Sequence, residues 1–223
     1  MKTERKAFLH KNRWRILFSL SGFVLFVLML TNVLNNGPIL KADKWVSLHM
    51  SELQTPVWTK LIIFVTDLNG LFASTIVFAA VSTFLWYRKW YSELRFFLCS
   101  FTGAVLLFNV FKFSVQRARP DTKLLDLMTY SFPSGHATMA TVLAFSLYVV
   151  FVNRVDTGLP RIFLLFACIL WPVTIAFTRV YLNVHWLSDV LGGVGLGIFW
   201  TTLVWILCSH GQQKKHNKNK LYQ

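Results

Sequence analysis

The chain is short of acid. Nine Asp and Glu stand against 23 Lys and Arg in 223 residues, a formal charge of +14. No carboxylate cluster suited to Mg2+ is visible. Cysteine is scarce as well. Cys99, Cys168 and Cys208 lie far apart, within or at the ends of apolar runs. An odd count without metal-ligand spacing argues against both a disulfide framework and a thiolate metal site. The three read instead as small apolar residues in helices. No internal repeat and no linker breaks the chain, so residues 1–223 read as one domain. A nucleic-acid footprint needs a basic face on a folded domain, and none is visible, so no nucleic-acid partner is expected.

What the chain has in quantity is apolar surface. Hydrophobic residues make up 55%, too many for an ordinary basic soluble protein. The charge gathers at the ends. Lys2, Arg5, Lys6, Lys11, Arg13 and Arg15 precede the first apolar run, and Lys214, Lys215, Lys218 and Lys220 follow the last. Basic ends around apolar runs are membrane topology signals. The tails are about 1–15 and 210–223. A spanning helix needs about 20 apolar residues. Six stretches qualify or come close: Ile16–Leu34, Gly70–Tyr87, Phe96–Phe111, Ala137–Val152, Ile162–Thr178 and Val190–Ser209. The first has no small-x-small site after it, so it reads as a retained span rather than a cleaved signal.

The expected fold is an all-α integral membrane bundle of six transmembrane helices. Two basic ends and an even number of spans put both termini in the cytoplasm. Arg88, Lys89, Arg154 and Arg161 fall in connections on that same side. The first connection, 35–69, then lies outside. Its "KADKWVSLHMSEL" reads as an interfacial helix with Asp43 near its start and Trp45 as anchor. "TPVWTKLIIFVT" reads as a second short helix at the outer surface, with Asp67 a capping or turn residue.

The third connection is outside yet carries Arg117, Arg119 and Lys123, with Lys112 at its edge. Cations on the wrong side need another explanation. Three stretches end at this face. In "KFSVQRARP", Lys112 and Arg119 share a face if the helix continues between them. In "FPSGHA", Pro133, Ser134 and Gly135 form a tight turn before an apolar helix, and that helix start is a ready anion site. A plain cap by Ser134 is the alternative there, and it leaves His136 unexplained. In "FTRVYLNVHWLSD", His185 and Asp189 are four apart, with Arg179 at the end of the preceding run. The Asp can accept from one ring nitrogen and leave the other's lone pair exposed.

Lys112, Arg119 and Arg179 buried unpaired at the bilayer centre would together cost on the order of 10 kcal/mol. They must sit at the interface or line a wet cavity. Their excess over Asp121, Asp126 and Asp189 implies an anionic ligand from outside. Two histidines and a carboxylate beside them imply chemistry as well as binding.

These stretches, K-x6-R-P, P-S-G-H and [S/T]-R-x5-H-x3-D in that order, resemble the type 2 phosphatidic acid phosphatase (PAP2) superfamily. The motifs cover residues 112–189, and the helical layout resembles its bacterial membrane lipid phosphatases. The family's third motif usually begins with Ser; this chain has Thr178, which keeps a hydroxyl and adds a methyl that would narrow the pocket. The resemblance implies His185 as nucleophile forming a phosphohistidine, Asp189 orienting its ring, and His136 as the acid. It implies Lys112, Arg119, Ser134, Gly135 and Arg179 as phosphate ligands, and no metal or cofactor. The implied substrates are lipid phosphates or diphosphates: phosphatidylglycerol phosphate, phosphatidic acid or polyprenyl diphosphate. A phosphotransferase with the same site, or a membrane protein that only binds or transports lipid phosphates, are the competing readings. Gly193 and Gly197 in the last run permit close helix contact. Internal packing is expected there rather than dimerisation, which favours a monomer surrounded by membrane lipids.

Overall fold

The computed structural model describes residues 12–209 in full, with backbone alone for 2–11 and 210–220. Among the described residues eight helices follow in order: α1 (Lys2–Leu34), α2 (Ile39–Leu53), α3 (Pro56–Asp67), α4 (Leu71–Tyr87), α5 (Tyr91–Val115), α6 (Gly135–Phe151), α7 (Leu159–Tyr181) and α8 (Leu187–Lys220). Among the described residues there is no strand, as the long apolar runs predict.

Among the described residues five stretches are long and apolar enough to cross a membrane: Asn12–Leu34, Pro56–Tyr87, Tyr91–Val115, Leu159–Tyr181 and Leu187–Ser209. The sequence suggests six. The difference is α6, apolar but shorter at Gly135–Phe151. This helix is buried nearly all round, between α5, α7 and α8. A helix wrapped by protein is a core helix, and lipid thickness constrains its length less.

Both segments of the first connection are helical, as α2 and α3. Thr55 accepts from the Trp58 N–H at 3.4 Å and Pro56 fills the first position of α3, a standard helix start. Asp67 ends α3 and is exposed. Only Leu68, Asn69 and Gly70 separate α3 from α4, so the two make one apolar length with an elbow in it.

The longest packing runs between α1 and α8. Glycine lets these backbones approach: a Cβ on Gly195 would stand 2.8 Å from the Phe26 backbone nitrogen. The other glycine face of α8 meets α6. A Cβ on Gly193 would stand 2.6 Å from the Ser134 carbonyl oxygen, and one on Gly197 would stand 2.8 Å from Thr141 Cβ. The small-residue face is therefore filled by the chain's own helix. Helices α5 and α7 end, and α4, α6 and α8 begin, at the same end of the bundle, where α2 and α3 also pack.

Candidate active site

Three local features build that end. Helix α5 stops at Gln116, whose left-handed φ of 51° turns the chain out of the helix. Lys112 therefore projects from the last turn, while Arg119 sits on the following loop. The two do not share a helix face, as an uninterrupted helix would have required; they converge because the loop folds back. Helix α6 starts at Gly135, with Ser134 Oγ accepting from the Ala137 N–H at 3.4 Å. Its first-turn N–H groups, at Gly135 and His136, are the ones helix geometry leaves open. Helix α8 starts at Leu187, so His185 precedes it rather than lying on it.

These elements enclose a cavity of about 560 Å³. Lys112, Arg119, Gly135, His136, Arg179 and His185 line its polar end. Leu71, Phe101, Val105, Phe108 and Met139, from α4, α5 and α6, line its apolar side. Six of the eight site residues expected from sequence thus meet in one space. Ser134 is fully buried and acts as the helix cap. Asp189 is fully buried behind His185. Thr178 is not on the cavity wall. Its hydroxyl donates to the Ile175 carbonyl at 2.7 Å within α7, so its methyl does not narrow the pocket.

The ring of His185 is held at both nitrogens. Nε2 lies 3.2 Å from a terminal nitrogen of Arg119. A guanidinium only donates, so Nε2 must accept, and the proton belongs on Nδ1. Nδ1 faces Asp189 Oδ2 at 3.5 Å and Ser131 Oγ at 3.4 Å. The Ser131 hydroxyl in turn donates to Asp189 Oδ2. The expected His–Asp pair is present, with a serine hydroxyl beside it that sequence reasoning missed. Burial pushes the His185 pKa well below its ordinary 6.5, and Arg119, Arg179, Lys112 and His136 push the same way. The imidazole is neutral, with its lone pair toward the cavity.

The cations are positioned by backbone and hydroxyl oxygens. Lys112 Nζ donates to the Tyr130 carbonyl at 2.7 Å. Arg119 donates to the Thr129 carbonyl at 2.8 Å, to Thr129 Oγ1 at 3.1 Å, to the Tyr130 carbonyl at 3.2 Å and to the Val184 carbonyl. Arg179, 2% exposed, donates to Thr66 Oγ1 at 3.0 Å, and its Nε has no partner. The last turn of α3 supplies Thr66. The elbow after it supplies Asn69, which donates to the His136 carbonyl at 3.0 Å and accepts from Trp171 Nε1 at 3.3 Å.

A second group that the sequence did not reveal lies behind His185. Asp43, on α2, is 1% exposed rather than at the surface. It accepts from the Ser188 backbone N–H at 2.8 Å, from Ser188 Oγ at 2.6 Å and from Arg117 at 2.7 Å. The other terminal nitrogen of Arg117 meets Asp189 Oδ1 at 2.6 Å. These partners lie 72 to 145 positions apart, beyond any local pattern. Among the described residues no three His, Cys, Asp or Glu side chains converge as a metal-ligand set.

Comparison with known proteins identifies the family. The signature of the PAP2 superfamily matches residues 93–211, more than half of the chain and all three motifs. Phosphatidylglycerophosphatase B of Bacillus subtilis (strain 168) is 29% identical over 186 residues, covering 81% of this chain and 90% of the relative. Lipid A 1-phosphatase of Rhizobium johnstonii is 30% identical over 133 residues, about half of each chain. Among solved structures, the PAP2-type phosphatidylglycerolphosphate phosphatase of Bacillus subtilis superposes with a TM-score of 0.71 at 26% identity, over 87% of this chain and 96% of that one. Aquifex aeolicus LpxE, at 20% identity and a TM-score of 0.58 over 74% of this chain and 93% of its own, shares the fold. The chain belongs to the PAP2 superfamily and is a multi-pass membrane phosphatase of lipid phosphates, a family whose phosphatases need no metal.

Proposed function

We propose that the chain hydrolyses the terminal phosphate of a lipid phosphomonoester or diphosphate at the outer face of the membrane, through a phosphohistidine on His185. The observation that carries this is the single orientation of the His185 ring. Its Nδ1 is turned to Asp189 and Ser131, and its Nε2 lone pair opens on a cavity with three cations.

In this reading Lys112, Arg119 and Arg179 neutralise the phosphoryl oxygens, with the N–H groups of Gly135 and its turn. Ser134 contributes by setting that turn and through its remaining hydroxyl proton. His185 Nε2 attacks phosphorus in line, and the bond to the leaving oxygen breaks. His136 gives that oxygen a proton. Water then attacks the phosphohistidine, passing a proton to His136, and phosphate leaves. Such transfer depends on positioning and on charge neutralisation at the equatorial oxygens, which fixed cations supply. The apolar side of the cavity suits a substrate whose tail stays in the bilayer.

Helix α6 is the sixth span in this reading, and both termini are cytoplasmic. Arg88, Lys89, Arg154 and Arg161 lie at the end of the bundle opposite the site, which supports that orientation. Helix α2 exposes Trp45, Leu48 and Leu53, as a helix resting in the outer interface would.

The test is phosphate release by the purified full chain in EDTA, from phosphatidylglycerol phosphate, phosphatidic acid and a polyprenyl diphosphate, beside His185→Ala. Release by the wild type and none by the variant is expected. Equal activity in the two sinks the mechanism. Wild-type release only in the presence of an added acceptor makes it a phosphotransferase.

A further inference from the structure

Asp43 lies outside the three motifs and Arg117 fills an unspecified position within the first; neither touches a cavity-facing atom of His185, yet both are tied to the group that orients it. Asp43 comes from α2 and caps α8 from outside: its Oδ1 takes the Ser188 N–H in the first turn of that helix. Asp189 closes the same turn from within, taking the Trp186 N–H on Oδ2 at 2.9 Å. This is the reciprocal arrangement of a capping box, with one of its two acids supplied by a distant helix. Arg117 spans both acids, with 2.7 Å to Asp43 and 2.6 Å to Asp189. Its plane packs against Trp186, with 5.5 Å to the ring centroid.

An isolated Asp189 carboxylate with no exposure would not stay charged without such partners. Arg117 alone, however, would cancel it. Asp43 restores one negative charge to the group of three. The acid of α2 thus acts on the nucleophile through two intermediaries.

We infer that Asp43 and Arg117 are positioning residues for the nucleophile. Together they fix the start of α8 and hold the carboxylate of Asp189 both charged and aimed at Nδ1 of His185. This rests on the reading of His185 as nucleophile. The charged and titratable groups facing His185 are Lys112 on α5, Arg119 on the loop, His136 on α6, Arg179 on α7 and Asp189 on α8. Arg117 is the ion-pair partner of Asp189.

The charge arithmetic gives opposite signs for two substitutions. Asp43→Asn keeps the shape but leaves Arg117 uncompensated, so the field at His185 becomes more positive. Arg117→Met leaves two carboxylates uncompensated, so the field becomes more negative. The pair together returns the group to its original net charge.

The experiment measures kcat, KM and the acidic limb of kcat/KM for the full chain in mixed lipid–detergent micelles, for wild type, both variants and the double variant. His185→Ala serves as the control for the underlying reading. Asp43→Asn is expected to lower kcat by roughly tenfold to a hundredfold, the scale of a misplaced reacting group, with KM nearly unchanged and the acidic limb not raised. Arg117→Met is expected to raise the limb, and the double variant to bring it back toward wild type. The substrate's own ionisation is common to all four, so differences between limbs report the enzyme. If Arg117→Met does not fold, Asp43→Asn decides alone on the split between kcat and KM. An unmoved limb in Arg117→Met, or a kcat within twofold of wild type in Asp43→Asn, overturns the inference while His185→Ala stays inactive. An active His185→Ala overturns the underlying reading instead.

Discussion

Arg119 holds a terminal nitrogen 3.2 Å from Nε2 of His185, so a cation donates to the lone pair that the proposed reaction uses. A phosphoryl oxygen arriving between them takes over that donor. The lone pair is then free at the moment the phosphorus comes into range. Burial, with the same guanidinium beside it, keeps the imidazole neutral before the substrate arrives.

This neutrality has a pH signature. The proposed nucleophile works in its unprotonated form, and its pKa lies well below 6.5. A lowered pKa extends the active form toward acid. The enzyme's part of the acidic limb of kcat/KM is therefore expected below pH 6.5. Removing one cation with Lys112→Met should move the acidic limb upward. A limb that moves downward in that variant contradicts the electrostatic account.

Arg119→Lys should not be conservative. The guanidinium reaches carbonyls of Thr129, Tyr130 and Val184 as well as His185, a fan that an ammonium cannot match. A loss of about 100-fold or more in kcat is expected, the scale of one preorganised oxyanion donor. Circular dichroism beside the kinetics separates this from unfolding.

Thr66→Val removes the hydroxyl that receives Arg179 and keeps its shape. Arg179 already has an unpartnered Nε, so it would lose the hydroxyl that holds it at 3.0 Å. A loss of about 1 kcal/mol in anion affinity is expected. Inhibition by orthovanadate, a phosphate mimic, is the readout. An unchanged inhibition constant would mean that Thr66 does not position the guanidinium.

Gly193→Ala should separate α8 from α6. The added methyl meets the Ser134 carbonyl oxygen at 2.6 Å, and backbone cannot give way cheaply. The expected cost is about 1–3 kcal/mol of stability. Activity should fall with it, because Ser134 N–H also donates to the Asp189 carbonyl at 3.0 Å and links the two motifs. The melting temperature in detergent and kcat are the two measurements.

The motif residues were legible because each lies in a local pattern with its own physical reason. A Pro-Ser-Gly turn before an apolar run is a helix start. A His four before an Asp can pair. Basic residues on the wrong side of a membrane call for an anion. The spans were legible from apolar length, except that α6, enclosed by α5, α7 and α8, falls below the length of a crossing on its own. Contacts made across the bundle were not legible. Asp43 reads as an interfacial acid until α8 is folded against it, 145 positions away. Ser131 looks like any serine before a turn. The break at Gln116 has no glycine to announce it, and it decides that Arg119 acts from a loop.

The elbow at Leu68–Gly70 has one more consequence. The apolar length around it is 32 residues. As one straight helix it would extend about 48 Å, well beyond the roughly 30 Å of hydrocarbon it would cross. A single rod would have to tilt steeply or thicken the bilayer around it. The bend resolves this mismatch by laying the surplus aside, and the corner it creates carries Thr66 and Asn69 to the cations and to His136. Fit to the membrane and support of the site are thus met together where α3 turns into α4.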